Sequence, residues 1–124
     1  MSSPNFMLLY VDSPEASGAF YAGLLGRRPV ESSPTFVLFA LESGLMLGLW
    51  SRHTVSPPAT AAGGGAELAF AVEDAGAVDR TFADWRSRGP RIAQEPVDLD
   101  LGRTFVALDP DGHRLRVFAP GGQP

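Results

Sequence analysis

Arg103 and Phe105, then Arg114, Arg116 and Phe118, alternate with aliphatic residues along two runs that flank Asp109-Pro110-Asp111-Gly112. A guanidinium can clamp a carboxylate through its planar fork or lie flat on a ring, and a Phe ring stacks on planar ligands. The linking tetrapeptide has the chemistry of a type I turn: Asp caps its own backbone, Pro presets φ at the second position and Gly closes the fourth. Successive strand side chains point to opposite faces, so Val106, Leu108, Leu115 and Val117 are expected to meet a helix-covered core. Arg103, Phe105, Ala107, Arg114, Arg116 and Phe118 then share the opposite face, a wall suited to a flat ligand. The same pattern also suits a solvated sheet face on which arginines snorkel.

The elements that must hold these residues can be followed from the start of the chain. Phe6 to Val11 is a nearly continuous apolar run and reads as a strand buried on both faces. Ser13 is an N-cap with Pro14 and Glu15 in the first helical turn, and Ala16, Phe20 and Leu24 stripe the helix beside Tyr21 and Leu25 until Gly26 stops it. Strands follow at Val30–Glu31, Thr35–Leu41 and Leu45–Trp50, the last two joined by Glu42-Ser43-Gly44. Ser51 to Ala66, with Pro57-Pro58 and Gly63-Gly64-Gly65, is a linker by composition. A second cycle then begins: Leu68, Phe70 and Val72 alternate, Asp74 caps, Val78, Phe82 and Trp85 stripe a helix ending at Gly89-Pro90, and Arg91–Ala93 make a short strand before the hairpin.

The two halves repeat. Val11 matches Val72, Phe20 matches Phe82 and Gly26 matches Gly89, at offsets of 61, 62 and 63 residues. Internal repetition at a fixed period is an architectural signal. The expected fold is α+β, two βαβββ modules (residues 1–50 and 67–120 about a linker, 51–66) within one domain of 124 residues. Half-barrel sheets facing one another with their helices outside would leave a concave space.

Composition narrows the function. A formal charge of −4 argues against a nucleic-acid or anionic-membrane partner. The absence of Cys removes disulfide and thiolate chemistry and suits a reducing cytoplasm. No apolar stretch of about 18 residues is present, so membrane spanning is not indicated. No Ser-His-Asp spacing, P-loop or Rossmann glycine pattern occurs.

Leu9-Tyr10-Val11 with Phe20-Tyr21 and Leu24-Leu25-Gly26, then Leu68-Ala69-Phe70-Ala71-Val72, then Asp109-Pro110-Asp111-Gly112-His113, together resemble the vicinal oxygen chelate (glyoxalase/bleomycin resistance/dioxygenase) superfamily. Within it the chain is most similar to the small phenazine-resistance and bleomycin-resistance-like antibiotic-binding members, through Asn5 to Tyr21, Met46 to Ser51 and Gly102 through Val117. The resemblance assigns four metal-ligand positions, which fall here on Phe6, Gly48, Glu67 and Arg116. One carboxylate facing a guanidinium makes no metal site, so no metal and no other cofactor is expected, and a Glu67–Arg116 ion pair is expected instead. His53 lies in the linker and His113 just after the turn, and neither sits at a ligand position.

If Phe6 and Gly48 face the concavity, parity brings Leu8, Tyr10, Met46 and Trp50 with them, and Gly48 is expected to leave space beside Trp50. The expected ligand-binding wall is therefore Phe6, Tyr10, Met46, Trp50, Arg103, Phe105, Arg116 and Phe118, without catalytic residues. Glu67, Ala69 and Ala71 would line the first strand of the second module and leave room opposite, whereas Trp85 belongs to the core. The resulting expectation is a metal-free protein that sequesters a planar, phenazine-like antibiotic or metabolite and works as a homodimer in the cytoplasm. A metal-dependent lyase or dioxygenase, and an oligomerisation module without a small ligand, are the alternatives.

Overall fold

A computed structural model describes residues 3–120. Ten elements follow in order: β1 (Phe6–Val11), α1 (Pro14–Leu25), β2 (Glu31–Ser32), β3 (Phe36–Ala40), β4 (Met46–Ser51), β5 (Glu67–Ala71), α2 (Ala75–Arg88), β6 (Arg91–Leu99), β7 (Gly102–Leu108) and β8 (Arg114–Phe118). They form two four-stranded mixed sheets, ordered β1-β4-β3-β2 and β5-β8-β7-β6, each with one helix, so the α+β repeat read from the sequence is present. The chain divides into two compact units after Ala61. In each, the first strand runs parallel to the last and the remaining pairs are antiparallel. Among the described residues, no helix is long and apolar enough to cross a membrane.

Local chemistry fixes the helix ends. The Ser13 hydroxyl accepts from the Ala16 amide at 3.1 Å, and the Asp74 carboxylate accepts from the Ala77 amide at 2.8 Å. Both helices stop on a left-handed glycine, Gly26 at φ 65° and Gly89 at φ 93°, a conformation that costs other residues a steric penalty.

In the first unit, α1 covers Leu9, Val11, Val37, Phe39, Leu47 and Leu49, all at most 5% exposed. The helix face turned to them is Pro14, Ser17, Gly18 and Tyr21, not the expected Ala16–Phe20–Leu24 stripe. The helix is apolar nearly all round, so periodicity does not mark a side; the small residues do. A Cβ added at Gly18 would lie 3.3 Å from Val37 Cγ1, so glycine lets the helix close down on the sheet. The expectation that β1 is buried on both faces is also corrected, because Phe6, Leu8 and Tyr10 are 52%, 42% and 39% exposed. Only the Leu9 and Val11 side of this edge strand is buried.

In the second unit, α2 lays Val78 and Trp85 on the sheet as expected, with Phe82 half-buried beside them. Strand β6 is longer than the three expected residues and pairs with β7 through two irregularities, between Ile92 and Gln94 and between Gln94 and Val97. The hairpin holds the larger correction. The Gly112 amide donates to the Asp109 carbonyl at 3.0 Å, as a type I turn requires, but Gly112 then takes φ 84° as an extra residue, and pairing resumes one position later, where the Asp109 amide donates to the His113 carbonyl at 3.0 Å. This is a turn followed by a one-residue glycine bulge. Leu108 therefore faces Arg114 across the ladder, Val106 faces Arg116 and Thr104 faces Phe118. One extra residue inverts the face of a whole strand. Phe105 and Ala107 join Leu115 and Val117 on the helix side, whereas Val106 and Leu108 join the arginines on the far face, the reverse of the parity read for β7.

Candidate functional site

The far face of the first sheet is apolar and aromatic. Register pairs Phe6 with Met46, Leu8 with Gly48 and Tyr10 with Trp50, and Trp50 in turn with Phe36 on β3. Alternation along three adjacent strands thus gathers the expected residues Phe6, Tyr10, Met46 and Trp50 on one surface. A cavity of about 420 Å³ is lined by Phe6, Leu8, Phe36 and Trp50, and the Phe36 and Trp50 rings meet edge to face with centroids 6.1 Å apart. Phe36 is absent from the expected set, although it leads the β3 alternation whose Val37 and Phe39 turn to the helix. The space above Gly48 is not left open beside Trp50. A Cβ there would lie 2.7 Å from Leu8 Cδ2 and 2.9 Å from Phe36 Cζ, so these two side chains sink into the gap and shape the floor of the cavity.

The far face of the second sheet is polar at its centre. Arg116 Nε donates to Glu67 Oε1 at 2.7 Å and its Nη2 to Oε2 at 2.9 Å, the bidentate geometry that makes a guanidinium–carboxylate pair strong. Arg116 Nη1 also donates to the Thr104 hydroxyl at 3.1 Å, and Arg114 Nη2 lies 2.9 Å from Glu67 Oε2. The Arg116 hydrogen bonds hold the Glu67 carboxyl below the usual carboxylate range against partial burial, and Glu67 raises the Arg116 guanidinium in turn. Phe118 and Arg116 both lie on this face, half-buried.

Two expected wall residues do not lie there. Phe105 is 0% exposed and packs edge to face on Phe82 and Trp85, with centroids 5.3 Å and 5.5 Å away, so its ring is core. Arg103 sits on the same helix side, with Nε 2.8 Å from Asp79 on α2 and Nη1 3.3 Å from Asp98 on β6. Those bonds, Asp79 first, raise its guanidinium further and leave it a tie between helix and strands. The bulge at Gly112 explains both misplacements.

The side chains at the four metal-ligand positions do not fit a divalent cation. Phe6 and Gly48 offer no donor, Arg116 is a cation, and both oxygens of Glu67 already accept from arginine. Among the described residues, no group of three or more His, Cys, Asp and Glu could hold a metal ion. His53 Nε2 lies 2.7 Å from Asp12 Oδ1 at the surface, remote in kind from a ligand set.

Comparison with known proteins agrees with this architecture. A solution NMR structure of a protein from Agrobacterium tumefaciens is 57% identical, covers 98% of this chain and 100% of its own, and superposes with a TM-score of 0.90. A crystal structure described as a glyoxalase/bleomycin resistance protein/dioxygenase from Nocardioides is 25% identical with a TM-score of 0.80, covering 100% of this chain and 88% of that one. The phenazine antibiotic resistance protein EhpR of Enterobacter agglomerans is 30% identical over 118 residues, 93% of this chain and 90% of EhpR. The Glyoxalase/Bleomycin resistance protein/Dioxygenase superfamily profile matches residues 3–117, and the chain belongs to that superfamily.

Proposed function

We propose that the protein is a metal-free binder that sequesters a planar aromatic antibiotic or metabolite of the phenazine type and so protects its host. The observation that carries this reading is the cavity of about 420 Å³ on the first sheet, whose lining is Phe6, Leu8, Phe36 and Trp50 and therefore wholly apolar. A fused aromatic ring stacks on such a surface and gains from both burial and ring–ring contact. Tyr10 and Met46 flank the cavity through their pairing with Trp50 and Phe6, and a thioether adapts to varied ring outlines. The phenazine-resistance relative supports the ligand class. The arginine-saturated carboxylate of Glu67 supports binding without metal.

The working unit in this proposal is a cytoplasmic homodimer with equivalent sites. Phe6, Leu8 and Tyr10 leave an apolar surface exposed, and contiguous surfaces of this kind mark places that become covered. Sedimentation equilibrium at micromolar concentration checks the dimer; a mass of one chain at full ligand affinity overturns it.

Titrating phenazine and phenazine-1-carboxylate into Trp85→Phe protein, in which Trp50 alone fluoresces, is the direct test. Sequestration requires saturable quenching at one ligand per chain and recovery of unaltered ligand by mass spectrometry. Conversion of the ligand would make the protein an enzyme, and absence of quenching would remove the ring site.

A further inference from the structure

Resting on the ring site proposed above, we infer that the first module discriminates between the redox states of its ligand. It takes the oxidised azine, whose ring nitrogens only accept hydrogen bonds, and disfavours the reduced ring, whose nitrogens carry hydrogen. The cavity of about 420 Å³ is lined by Phe6, Leu8, Phe36 and Trp50. Among these four side chains the sole hydrogen-bonding atom is the Trp50 indole nitrogen, which donates and never accepts. The backbone adds nothing, since β4 beneath the cavity is laddered to β1 on one side and to β3 on the other. Met46, paired with Phe6, brings a thioether that is only a weak acceptor, and Tyr10 shares the face but not the lining. The first acidic side chain beyond β1, Asp12, is held by His53.

Reduction of a phenazine takes up two electrons and two protons, places one hydrogen on each ring nitrogen and so turns two acceptors into two donors. In water both forms are hydrogen-bonded. Inside a lining that offers no acceptor, an N–H surrenders its water and receives nothing in exchange, the costly outcome for a buried polar group. The nitrogens of the oxidised ring are weak acceptors and lose less. The oxidised ring is also fully aromatic and flat, which suits stacking on Phe and Trp faces. Any difference in affinity must reappear in the redox equilibrium. A site that binds the oxidised form about tenfold more tightly lowers the midpoint potential of the bound two-electron couple by about 30 mV. The bound ring is then a poorer acceptor of electrons from a reduced nicotinamide or flavin than the free ring, and sequestration withholds it from reduction as well as from its target.

The test is a spectroelectrochemical titration of phenazine, free and with the protein in excess, with dithionite and mediators under anaerobic conditions at one fixed pH. The midpoint is expected to fall by at least about 30 mV on binding, a preference of about tenfold for the oxidised ring. Leu8→Gln brings a carbonyl acceptor into the lining at a position that is 42% exposed. It should return the midpoint to within about 15 mV of free phenazine, a preference of about threefold. Leu8→Met adds only a thioether and should keep the wild-type shift. A midpoint unchanged or raised by a protein whose Trp50 is quenched by phenazine overturns the inference and leaves the ring site standing. A Leu8→Gln protein that binds phenazine and keeps the whole shift also overturns it, because the missing acceptor is then not the cause. Absence of Trp50 quenching by phenazine removes the ring site itself, and this inference with it.

Discussion

Replacing Phe105 with leucine distinguishes a core ring from a ligand wall. Phe105 is 0% exposed and makes two edge-to-face contacts, with Phe82 at 5.3 Å and Trp85 at 5.5 Å. Leucine keeps most of the volume, so the cavity left is small; the loss comes mainly from the ring pairs, each worth about 0.5–1.5 kcal/mol beyond area burial. The substitution should therefore destabilise by about 2 kcal/mol, against about 3–5 kcal/mol for Phe105→Ala. With a urea slope of about 1–3 kcal/mol/M, the midpoint should fall by roughly 1 M. Unfolding is best followed in a Trp50→Phe background, where Trp85, which touches Phe105, is the sole tryptophan. Ligand affinity of Phe105→Leu, measured with Trp50 restored, should stay within about twofold, since a buried ring contributes no ligand contact. An unchanged midpoint combined with weakened ligand binding would refute the placement of Phe105 and the turn geometry from which it follows.

Trp50→Ala should weaken a phenazine by about 1–3 kcal/mol with little change in stability, checked by calorimetry; an unchanged dissociation constant places the ring elsewhere. Gly48→Ala should push Leu8 and Phe36 out of the gap, at about 1 kcal/mol because both clashing atoms are far ends of side chains, and should alter ligand affinity more than the urea midpoint. Glu67→Gln tests the ion pair through pH. Arg116 lowers the Glu67 carboxyl in the folded state, so its contribution is fully present above the unfolded value of about 4.3 and disappears as pH falls through the folded one. The stability difference between wild type and Glu67→Gln should then shrink in acid, and a difference constant from neutral pH to about pH 3 would exclude the ion pair as its source.

The parts of the fold legible in the sequence are those set by local chemistry. Ser13, Asp74, Gly26 and Gly89 bound the helices because their side-chain oxygens, or the lack of a Cβ, act within one turn. The Phe6–Met46–Tyr10–Trp50 surface was legible because β1 and β4 run in unbroken alternation and register. Strand β6 runs past the expected Arg91–Ala93 because Gln94, Glu95 and Asp98 break the apolar alternation while its pairing with β7 continues through two slips. The buried side of α1 depends on how closely Gly18 lets it approach Val37, which no periodicity encodes. Phe105 and Arg103 face the helix rather than the expected wall because of one residue of loop. Asp-Pro-Asp-Gly announces the turn, but the bulge at Gly112 is decided by the hydrogen bonds that close it.

That closure has an evolutionary edge. The Asp109 carboxylate is 1% exposed in its residue and accepts from the Asp111 amide at 2.8 Å and the His113 amide at 2.9 Å, while its own amide donates to the His113 carbonyl at 3.0 Å. A loop of five residues is thereby locked between Leu108 and Arg114. Losing or gaining one codon there would exchange the lining of β8 for its core, sending Arg114 and Arg116 toward the helix and Leu115 and Val117 outward. Only paired insertions or deletions preserve the sides. Among descendants of this chain, loop length at that corner should change in steps of two, so that odd steps trace lineages in which the surface chemistry of the last strand was rebuilt.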